Sequence, residues 1–225
     1  MIDLLPPGVE GSTRDRLLAA GMHLFAEKGF RGTTVGEIEA AAGLQPRRGA
    51  MYHYFPSKQA LLEAAVQNHL VVNEHGRRQL DSLPHTDVRS EALLMGRFFL
   101  AQLDVQRYLT TLLERDGDRL PELRDSIRER VMEVGHRAAE ELIRRWAGEA
   151  SSRDVDAAAY AVVIVAPLVN FRRHAWTFGA PPLGVDDGRL LAAWAESCVV
   201  LAEALGVGRQ RAVTNRRRPA KRAQL

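Results

Sequence analysis

The chain has 225 residues, of which 46% are hydrophobic and 26% charged, so it is long enough to bury a substantial core and differs from a disordered or rod-like chain. The single Cys198 excludes an internal disulfide framework and a multi-cysteine zinc site, and the seven His residues show no metal-ligand spacing, so no cofactor or metal is expected. The net charge of +3 is unevenly placed: from Gly208 onward there are seven basic residues and no acidic one, which leaves residues 61–207 acidic.

Membrane association is not expected from the sequence. The first residues do not resemble a signal peptide, since Asp3 and two prolines lie among them. The longest apolar run, Ala157 to Val169, is too short to cross a bilayer and contains Pro167. We therefore expect a cytoplasmic protein with no membrane partner.

The N-terminal part shows clear helix signals. Residues 1–11 contain two prolines and two glycines and predict a flexible arm. Two helices are predicted to begin at capping boxes and to end at glycines. Their signals are Ser12 with Asp15 and Gly29 for the first helix, and Thr34 with Glu37 and Gly43 for the second.

The helical pattern continues to the C-terminal region. Pro46 suits the first position of a third helix, and Pro56-Ser57 ends that helix and begins a fourth. Later helices are predicted near 88–106, 107–115, 121–147, 154–177 and 187–206, and Pro167 should kink the fourth of these. No stretch alternates like a strand, so we predict an all-α fold of about nine helices.

These elements predict four regions. Residues 12–60 would form a helix-turn-helix DNA-binding domain with three helices, and residues 61–207 a larger helical domain for regulation and dimerisation. Residues 1–11 would be the arm and residues 208–225 a basic, disordered tail. The tail could add phosphate contacts or act only as a solubilising end.

Residues 13–62 resemble the N-terminal domain of the TetR family of bacterial transcriptional regulators. The resemblance is carried by Leu18-x-Ala20, Leu24-Phe25, Gly29-Phe30, Thr33–Val35, Ile38, Ala42–Leu44, Gly49–Phe55, Ser57-Lys58 and Leu61-Leu62. It implies a DNA operator as partner and a diverged helical domain that binds a small molecule. It also implies that the protein is not an enzyme, and the sequence shows no nucleophile–base grouping.

The predicted DNA-binding residues are polar or basic side chains around the third helix. Arg47 and Arg48 would lie in its first turn, where the helix dipole disfavours cations, so a nearby polyanion would explain them. Arginine can bind guanine through two hydrogen bonds, and tyrosine hydroxyls can bind phosphate. The full set is Thr33, Thr34, Arg47, Arg48, Ala50, Tyr52, His53, Tyr54 and Lys58. The resemblance implies backbone contacts for Thr34, Tyr52 and Lys58, and base-facing positions for Arg48, Ala50 and His53.

Several of these residues have structural alternatives. Met51 and Phe55 are predicted to be core, and Tyr54 could be core as well. Arg47 and Arg48 could instead form an ion cluster with Glu37 or Glu39.

The sequence departs from the family pattern in two ways. Six residues separate Leu44 from Met51, where the family usually has four. Glu39 occupies the place of a usual alanine, where a buried, unpaired carboxylate would be costly. We expect the longer turn to make room for Glu39, with Arg47 or Arg48 neutralising it.

Apolar residues at alternating spacings of three and four predict a four-helix interface between two copies of the chain. The predicted interface residues are Val165, Leu168, Leu191, Trp194, Cys198 and Leu201. The alternative is that these faces pack within one protomer.

The resemblance further implies a ligand pocket. Its candidates are Phe98, Phe99, Gln102, Met132, His136, Tyr160, Asn170 and His174, with ordinary core or surface placement as the alternative for each. His136 and Asn170 stand out as polar residues predicted to face inward.

The function expected is that of a homodimeric repressor released from a palindromic operator by a small molecule. Ligand would favour a conformation with wrongly spaced recognition helices, and Pro167 and the helix over 121–147 would take part in the coupling. The alternatives are an activator, a ligand-independent regulator, or a helical small-molecule-binding protein with impaired DNA binding.

Overall fold

The computed structural model describes residues 11–81, 87–148 and 155–206. The predicted arm over 1–11, except for Gly11, and the predicted tail over 208–225 lie outside the described residues. Regular secondary structure in the described part is helical throughout, as predicted. The α-helices are α1 (Thr13–Lys28), α2 (Val35–Ala41), α3 (Lys58–Asp81), α4 (Val88–Asp116), α5 (Pro121–Ile127), α6 (Glu133–Ala147), α7 (Ala157–Phe178) and α8 (Asp187–Leu205).

The helix ends that depend on local chemistry are confirmed. The side chains of Ser12 and Thr34 each accept a hydrogen bond from the N–H of the residue three positions on. In return, the carboxylates of Asp15 and Glu37 accept a hydrogen bond from the N–H of the cap residue. Gly29, which follows α1, has a φ of +81°, a conformation that residues with a β-carbon disfavour. Each of these ends is encoded by residues within one helical turn.

Two predicted helix boundaries in the second half are wrong. The helices predicted at 88–106 and 107–115 form one helix, α4, because no glycine or proline lies between Gly96 and Gly117. The helix predicted over 121–147 consists of α5 and α6 with a π-helical segment, Arg128–Met132, between them. Wider π-type turns of this kind are rare and leave no clear pattern in a sequence.

The chain divides into two compact units, which differ from the predicted domain bounds of 12–60 and 61–207; those bounds stay a prediction. The first unit contains α1 to α3 together with Ala101–Met132. Its core is a continuous apolar cluster that includes Phe25, Ile38 and Leu112.

The second unit contains the start of α4, up to Leu100, and the helices from Glu133 onward. The indole N–H groups of two buried tryptophans hold its helices together. Trp194 in α8 donates to the carbonyl of Ile164 in α7 at 2.7 Å, and Trp146 in α6 donates to the Glu91 carboxylate of α4 at 3.0 Å. Both tryptophans therefore bury their rings without leaving a donor unsatisfied.

The apolar faces predicted to form the dimer interface lie inside the second unit. Five of the predicted residues are at most 6% exposed in the single chain, namely Val165, Leu168, Leu191, Trp194 and Cys198, and Leu201 is half-buried. Burial also raises the pKa of the Cys198 thiol to about 12. The alternative of packing within the protomer is correct for these five, because apolar periodicity marks the buried face of a helix and does not tell which helix covers it.

Among the described residues, no helix is both long enough and apolar enough to span a bilayer.

Gly96 permits the close approach of α4 to α8 and yields a test of this packing. A β-carbon at Gly96 would lie 2.6 Å from Leu191 Cδ2 and 2.9 Å from the rigid Trp194 ring. Alanine gains about 1 kcal/mol over glycine in a helix, whereas overpacking a core costs about 1–3 kcal/mol. We therefore expect Gly96→Ala to lower the free energy of unfolding measured by urea denaturation. The control Ala101→Ser, at an exposed position of α4, should change it little; an equal stability of both variants would contradict the packing described.

Candidate nucleic-acid interface

The segment predicted to be a third α-helix has a different structure. Residues 46–48 form a turn, and Ala50–His53 form a single 3₁₀ turn. The φ angles of Arg47 and Gly49 are +62° and +73°, so the backbone is left-handed at both. The prediction that Pro46 begins a helix is therefore wrong, and the dipole argument for Arg47 and Arg48 does not apply, since neither lies in a helix.

Glu39 explains why the chain turns here. Its side chain is 0% exposed, and its two carboxylate oxygens accept hydrogen bonds from backbone N–H groups of the recognition turn, which we define as residues 47–54. Oε2 accepts from Arg47 at 2.7 Å, and Oε1 accepts from Met51 at 3.1 Å. The expectation that a guanidinium would neutralise Glu39 is wrong, because backbone amides satisfy the carboxylate. In an α-helix from Pro46 the Met51 N–H would bond to the carbonyl of Arg47, four residues earlier, and would not be free to bind Glu39.

The recognition turn exposes most of its polar side chains. Tyr52 and Tyr54 are 56% and 46% exposed, and Arg47, Arg48 and His53 are exposed as well. The alternative of a core position for Tyr54 is therefore wrong. Ala50 is half-buried, while Met51 and Phe55 are buried as predicted.

Glu37 is not available to pair with the exposed arginines. Its carboxylate accepts from the Lys28 ammonium at 2.8 Å and from the backbone N–H and hydroxyl of Thr34, each also at 2.8 Å. The hydrogen bond from Lys28 and, with smaller effects, the two from Thr34 lower the pKa of Glu37 to about 2. With Glu39 buried against amides, the proposed ion cluster of Arg47 and Arg48 with Glu37 or Glu39 is not formed.

Two residues predicted to bind phosphate have internal roles. The Thr33 hydroxyl is buried and lies 3.0 Å from the carbonyl oxygen of Leu24 and 2.9 Å from that of Gly29, so the predicted phosphate contact of this hydroxyl is wrong. Thr34 is exposed, but its hydroxyl caps α2.

Lys58 is half-buried, and its ammonium group connects the start of α3 to the α1–α2 connection. It donates to the carbonyls of Phe30 and Thr33, both at 2.6 Å, and lies 4.6 Å from the centre of the Phe30 ring. Partial desolvation lowers the pKa of Lys58, an effect that the charge of Glu37 opposes. Two of its three N–H groups are thus used within the protein, and one remains for a phosphate.

The structure adds residues that the sequence did not point to. Asp116, at the end of α4, is buried and accepts a hydrogen bond from the Phe30 N–H at 2.7 Å. The Arg115 guanidinium donates to the carbonyl of Glu27. These partners are more than 80 positions apart in the chain, so no local pattern could indicate the contacts.

Two arginines of α1 also contribute positive charge near the interface. The Arg14 guanidinium lies 5.3 Å from the centre of the Phe55 ring, directly after the recognition turn. A guanidinium nitrogen of Arg16 lies 3.4 Å from the place that a β-carbon on Gly43 would occupy. Both arginines are exposed. The surface around the recognition turn is therefore more basic than the predicted residues suggested.

The candidate pocket residues separate into different environments. Tyr160 and Asn170 are exposed on α7, so the inward orientation predicted for Asn170 is wrong. His174 Nδ1 lies 3.1 Å from the carbonyl oxygen of Ala180, beyond the end of α7, and the predicted role in a pocket does not fit this placement. His174 is half-buried, as are the remaining candidates Phe98, Phe99, Gln102, Met132 and His136.

Two observations within this half-buried set bear on a ligand. The Phe99 ring lies 3.2 Å from where a β-carbon on Gly135 would be, so it packs closely on α6 at that glycine. The amide oxygen Oε1 of Gln102 is buried and has no hydrogen-bond partner among the described residues. No group of three or more potential metal ligands occurs in the described part of the chain.

Comparisons with known proteins identify the family. The profile described as "Bacterial regulatory proteins, tetR family" matches residues 17–65, which include α1 from Leu17 onward, all of α2 and the recognition turn. The chain belongs to this family. It is 32% identical over 143 residues to the transcriptional regulator CymR of Pseudomonas putida, an alignment that covers 63% of this chain and 66% of CymR.

Other TetR-type proteins show the same resemblance. The transcriptional repressor KstR2 of Mycolicibacterium smegmatis is 36% identical over 64 residues, which cover 28% of this chain and 30% of KstR2. The fatty acid degradation regulator FadR of Bacillus halodurans shares the fold, with a TM-score of 0.61 and 20% identity over 85% of this chain and 96% of FadR. The matched proteins are transcriptional regulators and not enzymes.

The internal role of Lys58 can be tested by its effect on stability. Lys58→Met keeps the aliphatic stem but leaves the carbonyls of Phe30 and Thr33 without their donor, which should cost on the order of 2 kcal/mol. The matched variant Lys28→Met removes an exposed ion pair and should change stability little. Urea denaturation of both variants measures the difference. If Lys58→Met were as stable as the wild type, the two hydrogen bonds would not hold the α1–α2 connection in solution.

Proposed function

We propose that this TetR-type regulator is a homodimeric repressor that binds a palindromic DNA operator and is released by a small molecule. The observation that carries the DNA-binding part is the recognition turn, in which Arg47 and Arg48 are exposed on a backbone held by buried hydrogen bonds. Since operator DNA lies in the bacterial cytoplasm, we also propose that location.

The exposed side chains of the recognition turn suit the chemistry of DNA. A guanidinium can bind O6 and N7 of guanine through two hydrogen bonds, whereas phenolic hydroxyls bind phosphate oxygens. We assign base reading to Arg47, Arg48 and His53, and backbone contacts to Tyr52, Tyr54 and the free N–H of Lys58. Arg14 and Arg16 would add phosphate contacts that increase affinity without specificity.

The base-reading role is tested by removing both guanidinium groups. We expect Arg47→Ala/Arg48→Ala to lose preference for the sequence that the wild type enriches from a randomised duplex library, because each good arginine–guanine pair contributes about 1–3 kcal/mol of discrimination. The control Arg97→Ala/Arg189→Ala removes the same charge at exposed positions of the second unit and should keep the preference. The preference is measured as the ratio of the affinities for the enriched and the scrambled duplex, by fluorescence anisotropy. If the wild type enriches no sequence, the proposed function fails.

The proposed dimer would use the faces of α7 and α8 that remain exposed in one chain. Val162 and Val163 of α7 are 54% and 64% exposed, and Val200 of α8 is 61% exposed. The two helices are neighbours, because Trp194 bonds to Ile164 and the Arg172 guanidinium makes two 2.7 Å hydrogen bonds to Asp187. Exposed apolar side chains that gather on one surface commonly mark an interface, and a second copy of the chain would cover these valines.

The oligomeric state tests this surface. We expect Val163→Glu/Val200→Glu to shift the mass measured by analytical ultracentrifugation from two chains to one, since four carboxylates would then face one another without partners. Leu183→Glu is the matched control, because Leu183 is 97% exposed but lies in the α7–α8 connection. A dimer that is unchanged by the double substitution would place the interface elsewhere.

The effector part of the proposal rests on Gln102. The unpartnered amide oxygen of Gln102 needs a hydrogen-bond donor, and a polar group on a ligand would supply one. Release would follow if ligand bound better to a conformation in which the two recognition turns no longer match successive major grooves.

A further inference from the structure

We propose that Glu39 is a positioning residue for DNA reading: its buried carboxylate fixes the backbone from which Arg47 and Arg48 reach the bases. This inference rests on the proposed function, since it specifies what holds the reading side chains in place. Glu39 itself would not touch DNA, because it is 0% exposed.

The two hydrogen bonds of Glu39 fix both ends of a short loop. Arg47 N–H and Met51 N–H are four residues apart and bind the two oxygens of one carboxylate, at 2.7 and 3.1 Å. The Met51 side chain is 0% exposed in the core, so that end of the loop is also held by packing. The residues between them can then adopt few conformations relative to α2, which carries Glu39.

The conformation of Arg47 requires such a restraint. A φ of +62° is disfavoured for a residue with a β-carbon, and glycine would be the usual choice at this position. Arg47 adopts it while its N–H is bound by Glu39 and its stem packs on Gly36, where Cγ is 3.4 Å from the site of a β-carbon. Strained backbone that its surroundings hold in place is commonly found at functional sites.

The charge of Glu39 makes a purely electrostatic role unfavourable for DNA binding. A carboxylate in the DNA-binding head repels phosphates, so its removal should by itself tighten binding to any duplex. If Glu39 positions the loop, its removal should weaken binding to the preferred duplex. The two roles therefore predict opposite signs for the same substitution.

The test compares three variants of the full chain. Glu39→Gln keeps the shape but removes the charge and places an amide donor against a backbone N–H. Glu39→Asp keeps the charge but is one methylene too short to reach both amides. Glu27→Gln removes an equal charge at an exposed position of α1 and serves as the control. Each is titrated by fluorescence anisotropy against the duplex that the wild type enriches and against a scrambled duplex.

We expect both Glu39 variants to lower the ratio of the two affinities by about tenfold or more, the loss that corresponds to one hydrogen bond to a charged group. Glu27→Gln should leave the ratio unchanged. Amide hydrogen exchange of the DNA-free protein should be faster at Arg47 and Met51 in both Glu39 variants, while α1 and the core of α3 stay protected.

The outcomes separate this inference from the proposed function. Suppose first that the wild type prefers one sequence. The positioning role is then wrong, while DNA reading stands, if both folded Glu39 variants keep that preference. The same conclusion follows if Glu39→Gln only tightens binding to both duplexes, as Glu27→Gln does. If the wild type prefers no sequence, the proposed function fails and this inference with it. Should Glu39→Gln fail to fold, Glu39→Asp decides the question.

Discussion

The need to satisfy one buried carboxylate determines the form of the recognition turn. Glu39 lies in the core of the DNA-binding head, where an unpaired charge would cost several kcal/mol. The chain brings two backbone N–H groups to it, from Arg47 and Met51. Bringing both amides to one point requires a turn.

The frame around the turn is held by polar contacts of the same kind. Lys58 binds the carbonyls of Phe30 and Thr33, the Thr33 hydroxyl binds carbonyls of α1 and the residue after it, and Asp116 binds the Phe30 N–H. Side chains thus bind backbone groups of the α1–α2 connection that no helix satisfies, such as the Phe30 N–H and the Thr33 carbonyl. Phe30 is common to the Lys58 and Asp116 contacts, so one residue connects the end of α4 to the start of α3.

How much of this could be predicted depends on the distance between partners in sequence. The two capping boxes and Gly29 were predictable, because each signal and its partner lie within a turn of helix. The third helix was predicted wrongly, because Pro46 is a good local start and the residue that overrides it, Glu39, lies outside the segment. The residues predicted for the dimer face were wrong for a related reason. Their periodicity indicated that Leu191 and Trp194 are buried, but only the fold shows that other helices of the same chain bury them. The exposure of Arg47 and Arg48 could be predicted, because charged side chains stay in water on a helix or a turn alike, while their contact with DNA stays a prediction.

A loop held in this way has a consequence for how DNA would be read. An arginine on a regular helix inherits the direction of its side chain from the helix, whereas Arg47 and Arg48 take theirs from a left-handed backbone position and its restraint. Because an exposed arginine side chain has many rotamers, specificity depends on how narrowly the Cα–Cβ bond of each arginine is fixed. Phosphate contacts tolerate a displacement of an ångström or so, but a bidentate arginine–guanine pair requires both hydrogen bonds to be well aligned. Loosening the turn should therefore reduce discrimination between sequences before it reduces affinity for DNA as such, and this difference is what distinguishes a positioning carboxylate from one that only stabilises the fold.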